Sequence, residues 1–582
     1  MSQKRLKKIR REEKDKVKNE FEKVIGFRQI IKRNWKFLFF LLLGVFGLYV
    51  NSLQGNFVSD DYATIPQNPQ IMSFKHGLSG WMGGLINWGL AVTFGVKSPV
   101  HYHIFSLLTY LMILVVLFVF VYLIFGEKIA KISTILFAVL PIHVEAVSWI
   151  AGRPYLINAL FILLSMVSLI YFINTSQKKY LYSLLIFIPL SFFAEKTRFA
   201  ALPLLVVLYW FSFNNPYKKK IDLGKILIIF GCLFLAVIIF IWPSLLNRID
   251  VVNSGINASE SIFYNPFFQY PTAIAKYLQL IWFPADLTLY HTMYIIPNWI
   301  NWLILLTFLS LIGISFFKDR KIFFALSFIF LAAAPSMLPV KISWLVAERY
   351  VFLGSLGWSI FLALIFEKVA KKVKLLSLIV LVLLVLIYST RVFLRNIDWQ
   401  TNHNLWVNSC QVSPNSHNAW NNIGDDYDKL AQLEKTEKGI MRQYLNAIKG
   451  FTQSTVVKPN YADAFHNRAN IFYKIGRLDL ARDSYKIALS FNPMMYQTYL
   501  SLIQIDLVEK KYDLASEDLK ALKKINPTDV QVWYVEAFID IKKGDIAKAK
   551  EILQAIVTKF PDYLDAVNLL KNINEENKGN KN

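Results

Sequence analysis

Residues 101–125 read HYHIFSLLTYLMILVVLFVFVYLIF, a run of 25 residues with no charged side chain beyond its two histidines. At about 1.5 Å of rise per residue, a helix of this length crosses a hydrocarbon core of about 30 Å. Working outward, comparable apolar runs lie near 35–53, 129–148, 155–173, 180–194, 198–213 and 224–244, and again near 298–317, 322–339, 350–366 and 375–393. With 101–125 they make eleven spans, so the expected fold is an all-α polytopic membrane domain. Composition agrees, with 55% hydrophobic and 15% aromatic residues and a mean hydropathy of +0.38. At 582 residues the chain also exceeds one domain.

The net charge of +24 does not point to nucleic acid, because of where the cations sit. They occupy the N-terminal tail, short loops between apolar runs, and the C-terminal third, a distribution of topology signals and a solvated domain. Residues 1–34, 126–131, 177–179, 218–220, 318–321 and 367–374 are basic, whereas the alternate loops 54–100, 149–154, 195–198, 245–297 and 340–349 carry fewer cations. Eleven spans make every basic loop cytoplasmic. The tail 1–34 is then cytoplasmic, and everything after Arg391 is extracytoplasmic. The segment Tyr270–Phe283 is apolar but short and reads as an interfacial or re-entrant helix.

Beyond a junction at 395–414 the hydropathy collapses and a period appears. Pro459, Pro493, Pro527 and Pro561 are each 34 residues apart, the tetratricopeptide repeat length. Ala481, Ala515 and Ala549 recur at the small position of the second helix, and Phe465, Tyr499 and Trp533 at the large position of the first. An earlier unit opens at Trp420-Asn-Asn-Ile-Gly-Asp-Asp-Tyr427, stretched to 45 residues between Pro414 and Pro459 by eleven extra residues near 428–440. The spacing predicts a repeat α-solenoid over 415–575, closed by a capping helix at 564–575, with 576–582 as a disordered tail. Such a solenoid binds an extended polypeptide in its groove.

Charges near apolar runs carry the chemistry, because burying them in a bilayer is costly. Asp60 and Asp61 follow the first span, with no basic residue between Lys36 and Lys75. Adjacent acids repel, which raises the pKa of at least one. On the same outer side lie His101 and His103, and three groupings in which sequence neighbours pair acid with base. These are His143 and Glu145 with Arg153, Glu195 with Lys196 and Arg198, and Glu348 with Arg349. Taken singly, such a pair pins a helix end. Together on one face, arginine, lysine and histidine suit an anionic phosphate, and a carboxylate beside them suits a general base. The sequence contains no H-E-x-x-H metal motif, no phosphate loop and no G-x-S-x-G elbow. Its two cysteines, Cys232 and Cys410, imply no disulfide framework.

Several stretches resemble the transmembrane and tetratricopeptide repeat-containing O-mannosyltransferases, a family of GT-C glycosyltransferases. They are Phe57-Val-Ser-Asp-Asp-Tyr62, Tyr102-His-Ile104, Pro141-Ile-His-Val-Glu-Ala-Val-Ser-Trp-Ile-Ala-Gly-Arg153, Glu195-Lys196, Pro335–Pro339, Ala347-Glu-Arg-Tyr350 and Gly354-Ser-Leu-Gly357. The junction Arg395-Asn-Ile-Asp-Trp399 also resembles that family's join. The resemblance implies inverting transfer of a sugar, mannose in the family's name, from a polyprenyl phosphate to Ser or Thr hydroxyls of extracytoplasmic proteins. It assigns Asp60 as base, with Asp61 supporting it. His103, His143, Glu145, Arg153, Lys196, Arg198, Glu348 and Arg349 are the expected donor phosphate and sugar contacts. Arg153 is followed by Pro-Tyr where the family often has an acid, which alters the expected sugar contacts there. The Phe-, Ile-, Lys- and Asn-rich composition reads as prokaryotic, implying a plasma-membrane enzyme. The expected partners are the lipid-linked donor, membrane lipid and an acceptor polypeptide held by the repeats, with no metal assigned. Two other readings fit the same residues: transfer to a lipid or cell-surface glycan, and a non-catalytic membrane-anchored repeat scaffold.

Overall fold

The computed structural model describes residues 25–213, 265–292, 296–337 and 345–579. The expected span at 224–244, the basic loop 218–220, Cys232 and the first part of the 245–297 loop lie outside the described residues. The chain divides into two compact units, one ending at Ser413 and one beginning at Pro414.

Among the described residues of the first unit, six helices are long and apolar enough to cross a membrane, which makes the chain an integral membrane protein. They are Trp35–Gln54, Val100–Phe125, Ile150–Thr175, Asn298–Lys318, Arg320–Met337 and Lys374–Asp398. Lys374–Asp398 presents Leu375, Leu378, Leu386 and Ile387 outward, each more than half exposed, as a lipid-facing helix does. Three expected spans are shorter helices, Lys178–Ala194, Arg198–Phe213 and Ser355–Ala370.

The expected span at 129–148 is not one straight helix. Glu127–Ala138 and Pro141–Ser148 meet at a 60° bend. The cause is local, since Pro141 offers no N–H and restricts Leu140, which sits extended at ψ 122°. The break turns the segment from His143 to Ser148 into the protein interior, where every residue is buried. The segment expected to be interfacial, Tyr270–Phe283, lies in a helix Pro266–Trp282 whose Ala273, Ile274, Tyr277 and Leu280 join a core with Ile329 and Val346. Close approach between Ser355–Ala370 and Arg320–Ala333 depends on Gly357, where a Cβ would lie 2.4 Å from the Ala325 carbonyl.

In the second unit, four helix pairs follow one another and a last helix, Leu564–Gly579, closes the array. Ala481, Ala515 and Ala549 are fully buried where each second helix meets its partner. The first pair accounts for the stretched repeat. Its helices His417–Leu433 and Glu437–Val457 have 17 and 21 residues, against 13 and 14 for Ala462–Lys474 and Leu478–Phe491. The differences of four and seven supply all eleven extra residues, so they lengthen both helices and leave the turn unchanged. Gly424 lets these helices touch, because a Cβ there would meet the Phe451 ring at 2.7 Å.

Candidate functional site

The aspartate loop leaves the first span through a turn in which Ser59 has a left-handed backbone, φ 52°. The two acids then part company. Asp60 is exposed, whereas Asp61 is completely buried. The Asp61 carboxylate accepts from the Val58 N–H at 3.1 Å and the Ala151 N–H at 2.8 Å, tying the loop to the segment before Arg153. Burial pushes the Asp61 carboxyl up to about 7, opposed by those two N–H groups and by Arg153, with Asp60 the smallest contributor. The upward shift expected from mutual repulsion is therefore present in Asp61, but desolvation is its main cause.

Arg153 begins the helix Arg153–Thr175, with Pro154 in the first turn where a missing N–H costs nothing. Its guanidinium donates to Ser106 Oγ at 3.3 Å and Asn87 Oδ1 at 3.2 Å, and lies over the Tyr102 and Phe105 rings. One terminal nitrogen, Nη2, is buried without a hydrogen-bond partner among the described residues. His103 is 2% exposed, its ring set against the backbone of Gly55, Asn56 and Ser148. Asp60, Asp61, His103 and Arg153 thus gather around the aspartate loop, with Arg153 Nη2 unspent among the described residues.

A second group forms on the other side of the same helix start, reached through Tyr155. Side chains two apart point to nearly opposite sides of a helix. Here the acid–base pairing expected from sequence neighbours is overturned. Glu145 pairs with Arg349, whose side-chain Nη1 and backbone N–H both donate to its carboxylate. Glu348 pairs with Arg395 at 3.2 Å, and Arg395 also donates to Asp398 and Asn408. Glu195 accepts from Thr197 Oγ1 at 2.6 Å and is not bonded to Lys196 or Arg198. The residues are neighbours in sequence, but their side chains leave the backbone in different directions.

His143 is fully buried, bonded through Nδ1 to the Tyr110 hydroxyl at 2.9 Å and through Nε2 to Ser355 Oγ at 2.8 Å. Both ring nitrogens are therefore engaged within the protein, which ties His143 into the core. Lys196 sits 3.5 Å from the centre of the Trp81 ring. Burial pushes the Glu348 carboxyl up to about 7, with Arg395 opposing, and His291 lies 3.6 Å away.

Arg198 differs from its neighbours. It is 8% exposed, stacks 4.2 Å from the centre of the Tyr350 ring, and leaves Nε and Nη1 without a partner among the described residues. With Tyr155, Asn158, Arg349 and Tyr350 it lines a cavity of about 20 Å³, room for a single small polar group. Ala201 and Ala332 bring the helices Arg198–Phe213 and Arg320–Met337 to the same cavity, and farther along them Leu208 and Phe211 face Phe323, Ser327 and Phe330 across an apolar groove of about 380 Å³. From Arg198 to Leu208 is ten residues, roughly 15 Å of helix. A polar socket and an apolar groove therefore follow one another along Arg198–Phe213.

Sequence reading missed Arg395, His291, Asn87 and Asn402. Arg395 carried a signal, since Asp398 stands three residues on in a helix and a buried arginine needs an anion. The others become visible only through contacts made over long sequence separations. Among the described residues, no three His, Cys, Asp or Glu side chains are grouped as metal ligands.

No family profile matches the chain. It is 24% identical over 601 residues to the Homo sapiens protein named protein O-mannosyl-transferase TMTC3, covering 90% of this chain and 61% of that one. It is 23% identical over 442 residues to the Caenorhabditis elegans protein O-mannosyl-transferase F38B6.6, covering 69% of this chain and 61% of that one. The chain thus spans about three-fifths of the length of these curated relatives. Among solved structures, it is similar to YrrB, described as a TPR protein with an unusual peptide-binding site, at 17% identity. That match covers 35% of this chain and 97% of the other, with a TM-score of 0.25. A MamA crystal structure matches at 15% identity over 30% of this chain and 96% of its own, also with a TM-score of 0.25. The likeness to these O-mannosyl-transferase relatives runs over 90% of the chain, through both the membrane unit and the repeats, and supports the family that the sequence motifs resemble.

Proposed function

We propose that this protein is a membrane glycosyltransferase that moves a sugar, mannose by analogy with its relatives' names, from a polyprenyl-phosphate carrier to Ser or Thr hydroxyls of polypeptides outside the cytoplasm. The observation that carries the reading is the pairing of the Arg198 socket with the apolar groove along one helix. That order of polarity, cationic donors followed by an apolar wall, is the order of an amphiphile with a phosphate head and an isoprenoid tail. Arg198, a buried guanidinium with donors to spare, suits the phosphate, and Arg153 Nη2 offers a further donor.

In this reading Asp60 takes the proton of the acceptor hydroxyl. The hydroxyl oxygen bonds to the anomeric carbon from the face opposite the leaving group, and the bond from that carbon to the phosphate oxygen breaks. The released polyprenyl phosphate carries the added charge, which the arginines stabilise. The configuration inverts. Asp61, held by two backbone N–H groups, keeps the loop in place and does not contact the acceptor. In this reading the aspartates lie outside the cytoplasm and the N-terminal tail inside, which the low cation content of the outer loops supports, and the repeats gather the acceptor chain.

The test is transfer from radiolabelled polyprenyl-phosphate mannose to protein in reconstituted membranes, comparing wild type with Asp60→Asn. The expected result is loss of transfer by about a thousandfold, with unchanged thermal stability. Full activity in Asp60→Asn would remove the base assignment. Label appearing in lipid or glycan instead of protein would replace the acceptor.

A further inference from the structure

The aspartate loop is held from two sides, one of them the segment at Ala151, whose N–H donates to Asp61. The other is the segment that ends the last membrane helix and begins Asn402–Val412. The Ser59 N–H donates to Asn402 Oδ1 at 2.8 Å, and the Asn56 N–H donates to the Gln400 carbonyl at 2.8 Å. Gln400 Nε2 donates to the Asn51 carbonyl at 3.0 Å, and Asn51 Nδ2 donates to the Phe393 carbonyl at 3.0 Å. Asn396 Nδ2 donates to Asn51 Oδ1 at 2.9 Å. Residues 51–59 are thus sewn to residues 393–402.

The bond to Asn402 falls on a strained residue. Ser59 has φ 52°, a conformation that L-residues avoid and that persists only where surrounding contacts impose it. The next residue is Asp60, whose side chain is exposed. Its direction is set by the turn Val58–Asp61, in which the Asp61 N–H donates to the Val58 carbonyl at 3.1 Å. Asp61 fixes the far side of that turn through Val58 and Ala151. Asn402 fixes the near side. Asn402 is itself held rigidly as the first residue of its helix, which Thr401 caps by accepting from the Asn404 N–H at 3.1 Å.

We propose that Asn402 is a positioning residue for Asp60: its carboxamide oxygen holds Ser59 in the left-handed conformation that aims the Asp60 carboxylate. This rests on the reading of Asp60 as the base. It makes the segment that leads into the repeats part of the transfer site. Relaxation of Ser59 to an ordinary negative φ rotates the following peptide and carries Asp60 away from its working direction. A displacement of about 1 Å at a reacting group costs about a hundredfold in rate.

The experiment uses the full chain in reconstituted membranes, with radiolabelled polyprenyl-phosphate mannose as donor. Rates are expressed per folded molecule, and amide hydrogen exchange is followed over residues 55–64. Asn402→Ala is expected to lower kcat about ten- to a hundredfold, leave the donor KM within about twofold, and speed exchange at the Ser59 amide. Asn402→Asp, which keeps an acceptor oxygen, stays within about threefold of wild type. Ser59→Gly in the Asn402→Ala background recovers much of the lost kcat, because glycine takes positive φ without support. If Asn402→Ala does not fold, Asn402→Leu makes the same test with side-chain volume preserved. Near-normal kcat in Asn402→Ala alongside an inactive Asp60→Asn overturns this inference and leaves the base assignment standing. A fully active Asp60→Asn, or a wild type that transfers nothing, overturns both.

Discussion

Arg349 and Arg198 reach the same two tyrosine rings, Tyr155 and Tyr350, yet they stand in different electrostatic regions. Around Arg349 the charge is spent. Its side chain and backbone both bind Glu145, and Glu348 beside it is bound to Arg395. Around Arg198 it is not, since Glu195 is turned to Thr197 and two guanidinium nitrogens stay without partners among the described residues. The first region is neutralised within the fold, and the second keeps donor capacity that the proposed function assigns to the donor phosphate. A count of arginines near a membrane surface does not separate these roles; the list of their partners does.

The largest expected effect breaks the first region. Arg349→Met leaves Glu145 buried and unpaired, so it should cost about 3–5 kcal/mol of stability, read as a lower Tm and less folded protein. Adding Glu145→Gln should recover much of that loss, which would show that the damage is the orphaned charge. If Arg349→Met is as stable as wild type, the distinction between the two regions fails.

Arg198→Met attacks the second region and should reverse the pattern. Transfer should fall about a hundredfold, equivalent to about 2.7 kcal/mol of transition-state stabilisation, while Tm changes little. Loss of stability without a specific loss of transfer would move Arg198 into the first region.

Asp61 offers a smaller, pH-dependent effect. Its folded carboxyl binds a proton more tightly than an unfolded one, so its contribution to stability is complete below about pH 4 and is lost as pH rises through about 7. Glu348 titrates in the same direction and window. Asp61→Asn should therefore remove part of the fall in Tm between pH 5 and pH 8, in the range of about 1–2 kcal/mol, and leave the Glu348 part. An unchanged pH profile would place the titration elsewhere.

Lys196→Ala should have the smallest effect. The ammonium rests on the Trp81 ring and remains partly exposed, so its loss should cost under about 1 kcal/mol and change transfer only a few-fold. A hundredfold loss would make Lys196 a donor contact of the same rank as Arg198.

How much was legible in the sequence follows from the range of each signal. The repeats were readable because a helix pair buries its small residues at a fixed period, and Ala481, Ala515 and Ala549 occupy that buried position. The long spans were readable because apolar length is a property of one segment. The bend at Pro141 had a local cause in plain view, but the 129–148 stretch is apolar throughout and hydropathy does not register direction. The eleven extra residues near 428–440 are legible as a count, but their division into four in one helix and seven in the other is not, because a longer turn and two longer helices have the same residue count.

The site divides in the same way. Sequence by itself determined which residues carry charge beside the membrane, that Asp60 and Asp61 stand alone among apolar neighbours, and that a helical array follows the last span. Only the tertiary structure decided which charges are consumed. Glu145 and Arg349 are 204 residues apart, and Ser59 and Asn402 are 343 apart. The physical reason is that a charge's function depends on what desolvates and neutralises it. Those partners come from helices that meet in three dimensions, while chain neighbours on a helix point apart.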